Sequence, residues 1–247
     1  MPYWNNKMGK HRIMMKDSNI ARHLPQTLIA TAANVRTLLK LHSVVYLKPN
    51  HGTGGNGIFK LSTHDKSFGL QSGVKSQTFI SFDGAFKAFK KSAGKKVYIV
   101  QKGIPLLRYR NRPFDLRIMV QRNPNRKWEV TGMIGRLAQP KKIVTNYHNG
   151  GRPLPVRQLL TPTLSPVAQN AYIQRLNQLG LRTSGHVNKF FPRFRSYGLD
   201  IGIDKELKIW IIEVNTRPDK TIFNVLKDKR MFRKIVRYAK IANDKKA

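Results

Sequence analysis

The chain has 247 residues, of which 47 are Lys or Arg and only 12 are Asp or Glu, so its formal net charge at pH 7 is +35. A hydrophobic fraction of 40% together with 12 Phe is typical of a folded protein and excludes a largely disordered one. The absence of Cys excludes disulfides and thiolate metal sites.

The first half of the chain predicts two helices and three strands. Apolar residues at helical spacing indicate the helices, and Ser81 is placed to cap the second one. Runs rich in β-branched and aromatic residues indicate the strands, one of which stops at Pro49. The helices cover residues 27–41 and 81–91, and the strands cover residues 44–49, 58–61 and 97–106.

The second half predicts a strand pair, a helix, a hairpin and a basic tail. DLRIMVQ and WEVTGMIGRLA are predicted strands on either side of the polar turn RNPNRK. Ser165 and Pro166 begin a helix that Gly180 is expected to end. Residues 198–218, GLDIGIDKELKIWIIEVNTRP, predict a hairpin, and residues 221–247 predict a basic helix with no acidic face opposite it.

The positive charge is concentrated in the middle of the chain. Between Asp83 and Asp200 there are 23 Lys and Arg but only two acids, Asp115 and Glu129. A field of this strength attracts nucleic acid, acidic polymers and phosphorylated small molecules. A generally basic surface that serves solubility is the alternative, and charge alone does not decide between these roles.

The sequence has no feature of an exported or membrane-spanning protein. Residues 1–17 lack the apolar segment of a signal peptide. No apolar run approaches the roughly 18 residues that span a bilayer. We therefore expect a soluble intracellular protein.

A glycine-rich loop, GTGGNG at residues 52–57, follows the strand that ends at Pro49. A dinucleotide-binding fold needs a helix after such a loop, but a strand is predicted here, and Ile58 stands where a P-loop needs Lys. No His-Arg-Asp or Asp-Phe-Gly motif of a protein kinase follows. Two interpretations remain: a flap whose backbone covers phosphates that Lys48 also reaches, or an ordinary glycine-rich hairpin.

The hairpin at residues 198–218 holds four of the chain's few acids, Asp200, Asp204, Glu206 and Glu213. If its turn has an even number of residues, Asp200 and Glu213 share one face with Asn215. Two buried carboxylates repel each other unless a cation lies between them, and oxygen ligands suit Mg²⁺. The alternative makes the acids turn residues or partners of nearby bases, which fits Asp204 and Glu206 better than the other two.

In combination, these motifs resemble the ATP-grasp ligases: a strand lysine before a glycine flap, the hinge QKGI, and an Asp…Glu-x-Asn hairpin. The chain is most similar to the YheC/YheD group of endospore coat-associated proteins, and in part to the ribosomal-protein glutamate ligases. The similar blocks are NKMGKHRIM, HLPQT, VVYLKPNHGTGGNGI, FDLRIMVQ, VTGMIGRLA, IVTNYHNGG and GLDIGID…WIIEVNTRP.

The resemblance implies an α+β protein with the ATP-grasp fold, in which two α+β subdomains clasp ATP. We expect the first subdomain, with the glycine flap, at residues 1–102. We expect the second, with the magnesium site and the basic C-terminal helix, at residues 103–247. A further N-terminal domain, usual in the family, is expected to be absent or very reduced. The resemblance also implies a cytoplasmic protein associated with the spore coat or forespore.

The resemblance further implies the residues of an active site that uses ATP and Mg²⁺. Arg117 and Arg136 would face the reacting carboxylate. The implied Mg²⁺ ligands are Asp200, Glu213 and Asn215. The residues implied for ATP are Lys7 and Lys48 at the phosphates, Gly54, Gly55 and Gly57 in the flap, Gln101, Lys102 and Ile104 beside the adenine, and Asp115 at the ribose. Some relatives have Arg where this chain has Gly198, and the glutamate-ligase-like members also lack that Arg.

The implied activity is that of an ATP-dependent carboxylate–amine ligase that acts through an acylphosphate, on an acidic peptide or a spore-coat component. Two alternatives stay open: a non-catalytic spore-associated scaffold that retains ATP binding, and a protein that binds nucleic acid or another polyanion. The intact set Asp200, Glu213 and Asn215 disfavours the scaffold, because a degenerate enzyme usually loses its metal ligands first. No helix-turn-helix, zinc or RNA-recognition motif supports nucleic acid.

Overall fold

Two antiparallel β-sheets form the frame of the protein in a computed structural model, which describes residues 3–52, 54–140 and 150–244. Among these residues the first sheet has six strands in the order β1-β6-β2-β3-β4-β5. They are β1 (Thr27–Ile29), β2 (Val44–Pro49), β3 (Phe59–His64), β4 (Ser67–Ser72), β5 (Lys75–Phe79) and β6 (Tyr98–Lys102).

The second sheet has the order β10-β9-β8-β11-β12, and the short strand β7 pairs with β8. Its strands are β7 (Arg108–Tyr109), β8 (Arg112–Arg122), β9 (Trp128–Leu137), β10 (Arg152–Leu154), β11 (Ser196–Ile203) and β12 (Ile209–Asn215). The central strand β8 pairs Asp115 with Arg136 of β9 and Arg117 with Asp200 of β11. This register brings the charged residues of the predicted site side by side.

Helices cover the faces of the two sheets. They are α1 (Lys7–Met14), α2 (Ser18–Ala21), α3 (Ala32–His42), α4 (Phe82–Ala93), α5 (Val156–Leu160), α6 (Pro166–Phe190), α7 (Arg230–Asp244) and a 3₁₀ helix at Thr221–Asn224. None of the helices in the described ranges is both long and apolar enough to cross a bilayer. The α+β class predicted from the sequence is confirmed.

Each sheet has its own hydrophobic core. Leu38, Leu61 and Phe89 are fully or almost fully buried in the core of the first sheet. The core of the second sheet also receives Met14 and Ile20, which lie in the N-terminal segment. The segment that precedes the first sheet in sequence therefore packs on the second one. The division into subdomains at residues 102 and 103 remains a prediction.

Several sequence predictions are confirmed in detail. The strand at residues 44–49 matches β2, and Ser81 caps α4 by accepting a hydrogen bond from the amide of Gly84. DLRIMVQ and WEVTGMIGRLA fall within β8 and β9, which pair with each other. The flap is a strand–loop–strand unit, as the glycine pattern indicated.

Two predictions in the first half were wrong in part. Residues 27–41 are not one helix, because Thr27–Ile29 form β1 and the side chain of Thr31 caps a helix that begins at Ala32. The predicted strand at residues 97–106 ends at Lys102. Beyond it the amide of Gly103 donates to the carbonyl of Val44, and the chain turns from the first sheet toward the second.

Two predictions in the second half were wrong. Gly180 does not end its helix, since α6 continues to Phe190 and Gly180 is buried. A methyl group at Gly180 would lie 3.3 Å from Ile118 and 3.4 Å from Val120, so the missing side chain allows close helix–sheet packing. The basic tail has a partner, because Lys234 of α7 forms an ion pair with Glu129 of β9.

The absence of a side chain at Gly198 has a steric explanation. A Cβ atom there would lie 2.6 Å from Cβ of Pro218 and 3.3 Å from Cδ of Arg117. A larger side chain would have to displace Arg117, which is bound to Asp200. The absence of a side chain at Gly198 therefore leaves space for Arg117, which donates a hydrogen bond to Asp200.

Candidate functional site

A cavity of about 850 Å³ is lined by residues of both sheets, and we call it the nucleotide cavity after the ligand that the family resemblance implies. Most of the residues that the sequence singled out line it: Lys7, Lys48, Gly55, Gln101, Lys102, Ile104, Asp115, Arg136, Asp200 and Glu213. Gly54, Gly57, Arg117 and Asn215 do not line this cavity. Residues separated by more than 200 positions in sequence are thus brought to one site.

The apolar walls of the nucleotide cavity were missed in the sequence. They are formed mainly by Tyr46, Ile58, Leu106 and Ile212. A signal for Tyr46 was present, since it lies two positions before Lys48 on a strand and so shares its face. Leu106 and Ile212 gave no such signal, because loop geometry and a strand irregularity place them. Apolar side chains of this kind suit the faces of a planar ring.

On the first sheet, Lys48 lies at the floor of the cavity and is 8% exposed. Its ammonium donates to Oε1 of Gln101 at 2.5 Å, and Nε2 of Gln101 donates to the hydroxyl of Thr27 at 3.0 Å. Burial lowers the pKa of Lys48 to about 8, although Glu213 acts in the opposite direction. An anion in the cavity would stabilise the charged form of this lysine.

The pKa of Lys48 predicts how nucleotide affinity changes with pH. Above about pH 8 the lysine of the ligand-free protein is mostly neutral, so it must take up a proton when it binds a phosphate. We expect the Kd for Mg·ATP to weaken about tenfold between pH 7 and pH 9. Titration calorimetry at several pH values measures this change. Lys48→Arg, which keeps its charge, should give a flatter profile, and an equally steep one would contradict the assignment.

The glycine flap joins β2 to β3 above the nucleotide cavity. Gly54, Gly55 and Gly57 have positive φ angles of 76°, 78° and 70°, a region that residues with side chains rarely occupy. Lys7 of α1 reaches the flap, since its ammonium donates to the carbonyl of Gly52 at 2.9 Å. The backbone conformation of the flap therefore depends on glycine, and α1 anchors the start of the loop.

On the second sheet, two arginines hold the two buried aspartates. Arg136 donates to both carboxylate oxygens of Asp115, at 2.8 and 2.5 Å, and its Nη2 lies 3.2 Å from Oδ1 of Asp200. Nε of Arg117 donates to the same Oδ1 at 2.6 Å. Burial favours a higher pKa for Asp200, but the two arginines outweigh it and hold that pKa well below its ordinary value. Asp200 is therefore ionised at neutral pH.

The contacts of Arg117 change what the sequence implied for it. Arg117 is 7% exposed and does not line the nucleotide cavity. Its observed contact is Asp200, so it orients that carboxylate. Arg136 lines the cavity, but its guanidinium is already ion-paired with Asp115 and Asp200. A direct contact of either arginine with a substrate remains a prediction.

Asp200 and Glu213 are directly opposite each other on β11 and β12, as expected, but for a different reason. The connection between Ile203 and Ile209 covers residues 204–208, an odd number, which would place Ile212 opposite Asp200. The register shifts between Asp200 and Ile201, so that β12 carries one extra residue and Glu213 takes that position. The bulge also lets Ile212 and Glu213, neighbours in sequence, both line the cavity.

Asp204 and Glu206 serve the turn, as the alternative interpretation held. Asp204 accepts hydrogen bonds from the amides of Glu206 and Lys208 and from the indole of Trp210. Glu206 is exposed. These two acids therefore differ from Asp200 and Glu213, which line the cavity.

The oxygen atoms around Asp200 fit a hard divalent cation. Both arginines contact Oδ1 of Asp200, while Oδ2 faces the amide of Asn215 at 3.5 Å. Rotating that amide by half a turn would present its oxygen instead. Glu213 contacts Lys7 through Oε1 at 3.3 Å. The described residues contain no cluster of three or more His, Cys, Asp or Glu, so any cation here would take two carboxylates, an amide and outside ligands, as Mg²⁺ often does.

Comparison with known proteins gives the chain its relatives. The family described as YheC/D-like ATP-grasp matches residues 2–241. The endospore coat-associated protein YheD of Bacillus subtilis (strain 168) is 28% identical over 238 residues, which cover 91% of this chain and 51% of that protein. YheC of the same organism is 21% identical over 215 residues, which cover 84% of this chain and 58% of that protein. The chain spans about half the length of these curated relatives.

Solved structures share the fold at low sequence identity. The ADP complex of purK, an N5-carboxyaminoimidazole ribonucleotide synthetase, has a TM-score of 0.54 at 11% identity, over 94% of this chain and 51% of that chain. A biotin carboxylase–beta-gamma-ATP complex from Campylobacter jejuni has a TM-score of 0.57 at 15% identity, over 95% and 45%. The block IVTNYHNGG lies mostly within residues 141–149, outside the described residues. Of the other blocks, NKMGKHRIM covers α1, and the rest lie in strands and in the loops next to them, except for Thr53, which is outside the described residues.

Proposed function

The chain belongs to the YheC/D-like ATP-grasp family, and on that basis we propose that it is an ATP-dependent ligase that joins a carboxylate to an amine. The observation that carries the proposal is one cavity that holds a buried lysine, a glycine flap and two opposed carboxylates. Such a set suits a nucleotide triphosphate with its metal ion. The ADP and ATP complexes among the structural neighbours support the same ligand.

We propose that the nucleotide lies with its base toward the hinge and its phosphates toward the hairpin. Gln101, Lys102 and Ile104 would contact the adenine, with the apolar walls on its faces. Asp115 would accept from the ribose with lone pairs that Arg136 leaves available. Lys7, Lys48 and the flap backbone at Gly55 would contact the phosphates, as basic groups and backbone amides commonly do. In this orientation the adenine lies between apolar side chains, and the phosphates lie against basic groups and backbone amides.

The reaction that we propose has two steps. An oxygen of the substrate carboxylate attacks the γ-phosphorus of ATP, and the bond from that phosphorus to the ADP oxygen breaks. The amine nitrogen then attacks the acyl carbon, the bond to phosphate breaks, and the amine releases a proton as the amide forms. Neither step needs a protein nucleophile, which agrees with the absence of Cys.

The protein's part in these steps is electrostatic and positional. Lys48 and Lys7 would balance charge on the phosphoryl group during transfer. Arg117 and Arg136 keep Asp200 ionised and oriented. Asp200, Glu213 and Asn215 would hold Mg²⁺, which when bound supplies charge neutralisation at the phosphates. The apolar walls would exclude water that could otherwise hydrolyse the acylphosphate.

The substrates are proposed only by class. The net charge of +35 favours an acidic partner, such as a Glu-rich peptide. YheD and YheC are named as endospore coat-associated proteins, so we propose a spore-coat component as a second candidate substrate. The same names support the proposal of a cytoplasmic protein associated with the spore coat. A scaffold that retains ATP binding would bind nucleotide without turnover, so turnover separates the two functions.

The experiment that tests the proposal is ADP release with defined substrates. The protein is incubated with ATP, Mg²⁺ and a panel of amino acids and short acidic peptides, alone and in pairs. We expect ADP to accumulate only when both a carboxylate donor and an amine are present, and mass spectrometry should show the loss of water in the joined product. Nucleotide binding without ADP release across the panel would favour the scaffold.

A further inference from the structure

A second cavity, of about 570 Å³, lies beside the nucleotide cavity and shares Lys7, Gly52 and Glu213 with it. We call it the α1 cavity, because residues 5–10 at the start of α1 form much of its lining. The rest comes from the start of the flap and from residues 213–217. The two cavities therefore meet at the end of the nucleotide cavity where the carboxylate pair lies.

The lining of the α1 cavity is rich in cations and amides. Lys7, Lys10 and Arg217 contribute positive charge, and Glu213 is the one carboxylate among its described lining residues. Four asparagines also line it: Asn5, Asn6, Asn50 and Asn215. A cavity with this composition suits an anion that carries hydrogen-bond acceptors.

Lys10 is the residue of this cavity that points most directly to an anionic ligand. It is 7% exposed, which makes it more buried than Lys7, Arg217 and most other bases of the chain. Among the described residues no hydrogen bond or ion pair engages its ammonium. Burial lowers the pKa of Lys10, Lys7 acts in the same direction, and Glu213 and Asp200 oppose it. A buried ammonium without a partner is costly, so an anion bound beside Lys10 would stabilise its charged form.

The wall around Lys10 is fixed before any ligand arrives. The amide of Lys7 donates to the carbonyl of Asn50 at 3.0 Å, and the amide of Met8 donates to its side-chain oxygen at 2.9 Å. Asn5 donates to the hydroxyl of Thr216 at 3.1 Å, which ties the N-terminal segment to the chain after β12. The lysine is therefore held in place by the backbone of α1 and by loops from both sheets.

We propose that the α1 cavity binds the carboxylate of the acyl donor and that Lys10 is the base that contacts it. This inference rests on the proposed ligase function, since the donor must reach the γ-phosphorus from the side opposite ADP. In the proposed orientation the phosphates lie toward Lys7 and Glu213, which both cavities share, so a donor in the α1 cavity would lie on that side. The ligand class is a small molecule or peptide end with a free carboxylate, and the asparagines would bind its neighbouring polar groups.

The test compares Lys10→Met with Arg12→Met, which removes the same charge from an exposed position of α1. Saturation-transfer NMR measures binding of acetate, L-glutamate and triglutamate in the presence of Mg²⁺ and a non-hydrolysable ATP analogue. We expect at least one of these probes to bind the wild type and Arg12→Met alike. Lys10→Met should bind it about tenfold or more weakly, because a charge-assisted hydrogen bond is lost. Its affinity for the ATP analogue should change less than about threefold.

Melting curves of the ligand-free variants add a second readout. If Lys10 is buried to receive a ligand, Lys10→Met removes an unpaired charge, and the melting temperature should rise by about 2 to 4 °C. A fall in melting temperature, with carboxylate binding intact, would make Lys10 structural and overturn the inference.

Two further outcomes would also overturn the inference. If none of the carboxylates binds the wild type, the α1 cavity is not a carboxylate site. If Lys10→Met weakens the ATP analogue as strongly as the carboxylate, Lys10 belongs to the phosphate site, and the ligase proposal stands without this inference. Failure of the wild type to bind the nucleotide would instead count against the proposed function itself.

Discussion

Glu213→Gln is expected to lower Mg²⁺-dependent ATP turnover by about 100-fold or more while the protein stays folded. Glutamine keeps the size of the side chain but removes one of the two carboxylates that would hold the metal ion. The ion pair with Lys7 is also lost, but Glu213 is part-exposed, so its loss should cost at most about 1 kcal/mol. ADP release and melting temperature, measured on the same preparation, separate the two effects.

Glu206→Gln is the matched control for that experiment. It makes the same chemical change on the same hairpin, at an exposed turn position outside the nucleotide cavity. Turnover and melting temperature of this variant should both stay near the wild-type values. If Glu213→Gln also kept its turnover, the hairpin would not be a metal site. If the Glu213→Gln variant instead failed to fold, Glu213 would be a residue that stabilises the protein and not a metal ligand.

Arg136→Met is expected to destabilise the protein by about 3 to 5 kcal/mol, because it leaves Asp115 and Asp200 buried beside each other with less compensation. For a chain of this size the melting temperature should fall by roughly 6 to 20 °C. Arg36→Met is the control, since its ion pair with Asp83 is exposed and its loss should have little effect. An equal response of the two variants would contradict the role given to Arg136.

The loss caused by Arg136→Met should also depend on pH. In the wild type the pKa of Asp200 is held below its unfolded value of about 3.9, so this carboxylate contributes stability above that pH and loses it as the pH falls further. In the variant that contribution is smaller. The gap in stability between wild type and variant should therefore be largest near neutral pH and should narrow below about pH 4. Urea unfolding at both pH values measures it.

The sequence predicted which residues lie close together better than it predicted the bounds of the elements that carry them. Lys48 and the glycines could be placed because a strand, a loop and a strand are adjacent in sequence and each has a local signal. Asp200 and Glu213 could be paired because one hairpin holds both, although the parity argument succeeded only through a bulge at Ile212. A bulge depends on packing across the sheet and leaves no local signature.

Contacts between residues far apart in the chain could not be predicted from the sequence. The hydrogen bonds from Arg136 to Asp115 depend on the register of β8 and β9, and a shift of one residue in that register would separate the two side chains. Glycine usually disfavours a helix, which predicts a helix end at Gly180, but close packing against Ile118 outweighs that preference. Lys10 looked like one more base in a basic chain, and only its burial distinguishes it.

The central claim is that Mg·ATP binds in the nucleotide cavity with Lys48 among its contacts. The most direct test is the melting temperature of wild type, Lys48→Ala and the exposed-position control Lys90→Ala, with and without Mg·ATP. At about 100 times the Kd, binding should stabilise the wild type by about 2.7 kcal/mol, a rise of roughly 5 to 10 °C. Lys90→Ala should show the same rise, and Lys48→Ala should lose most of it. An unchanged wild-type curve at millimolar Mg·ATP would contradict the claim, and so would a full rise in Lys48→Ala.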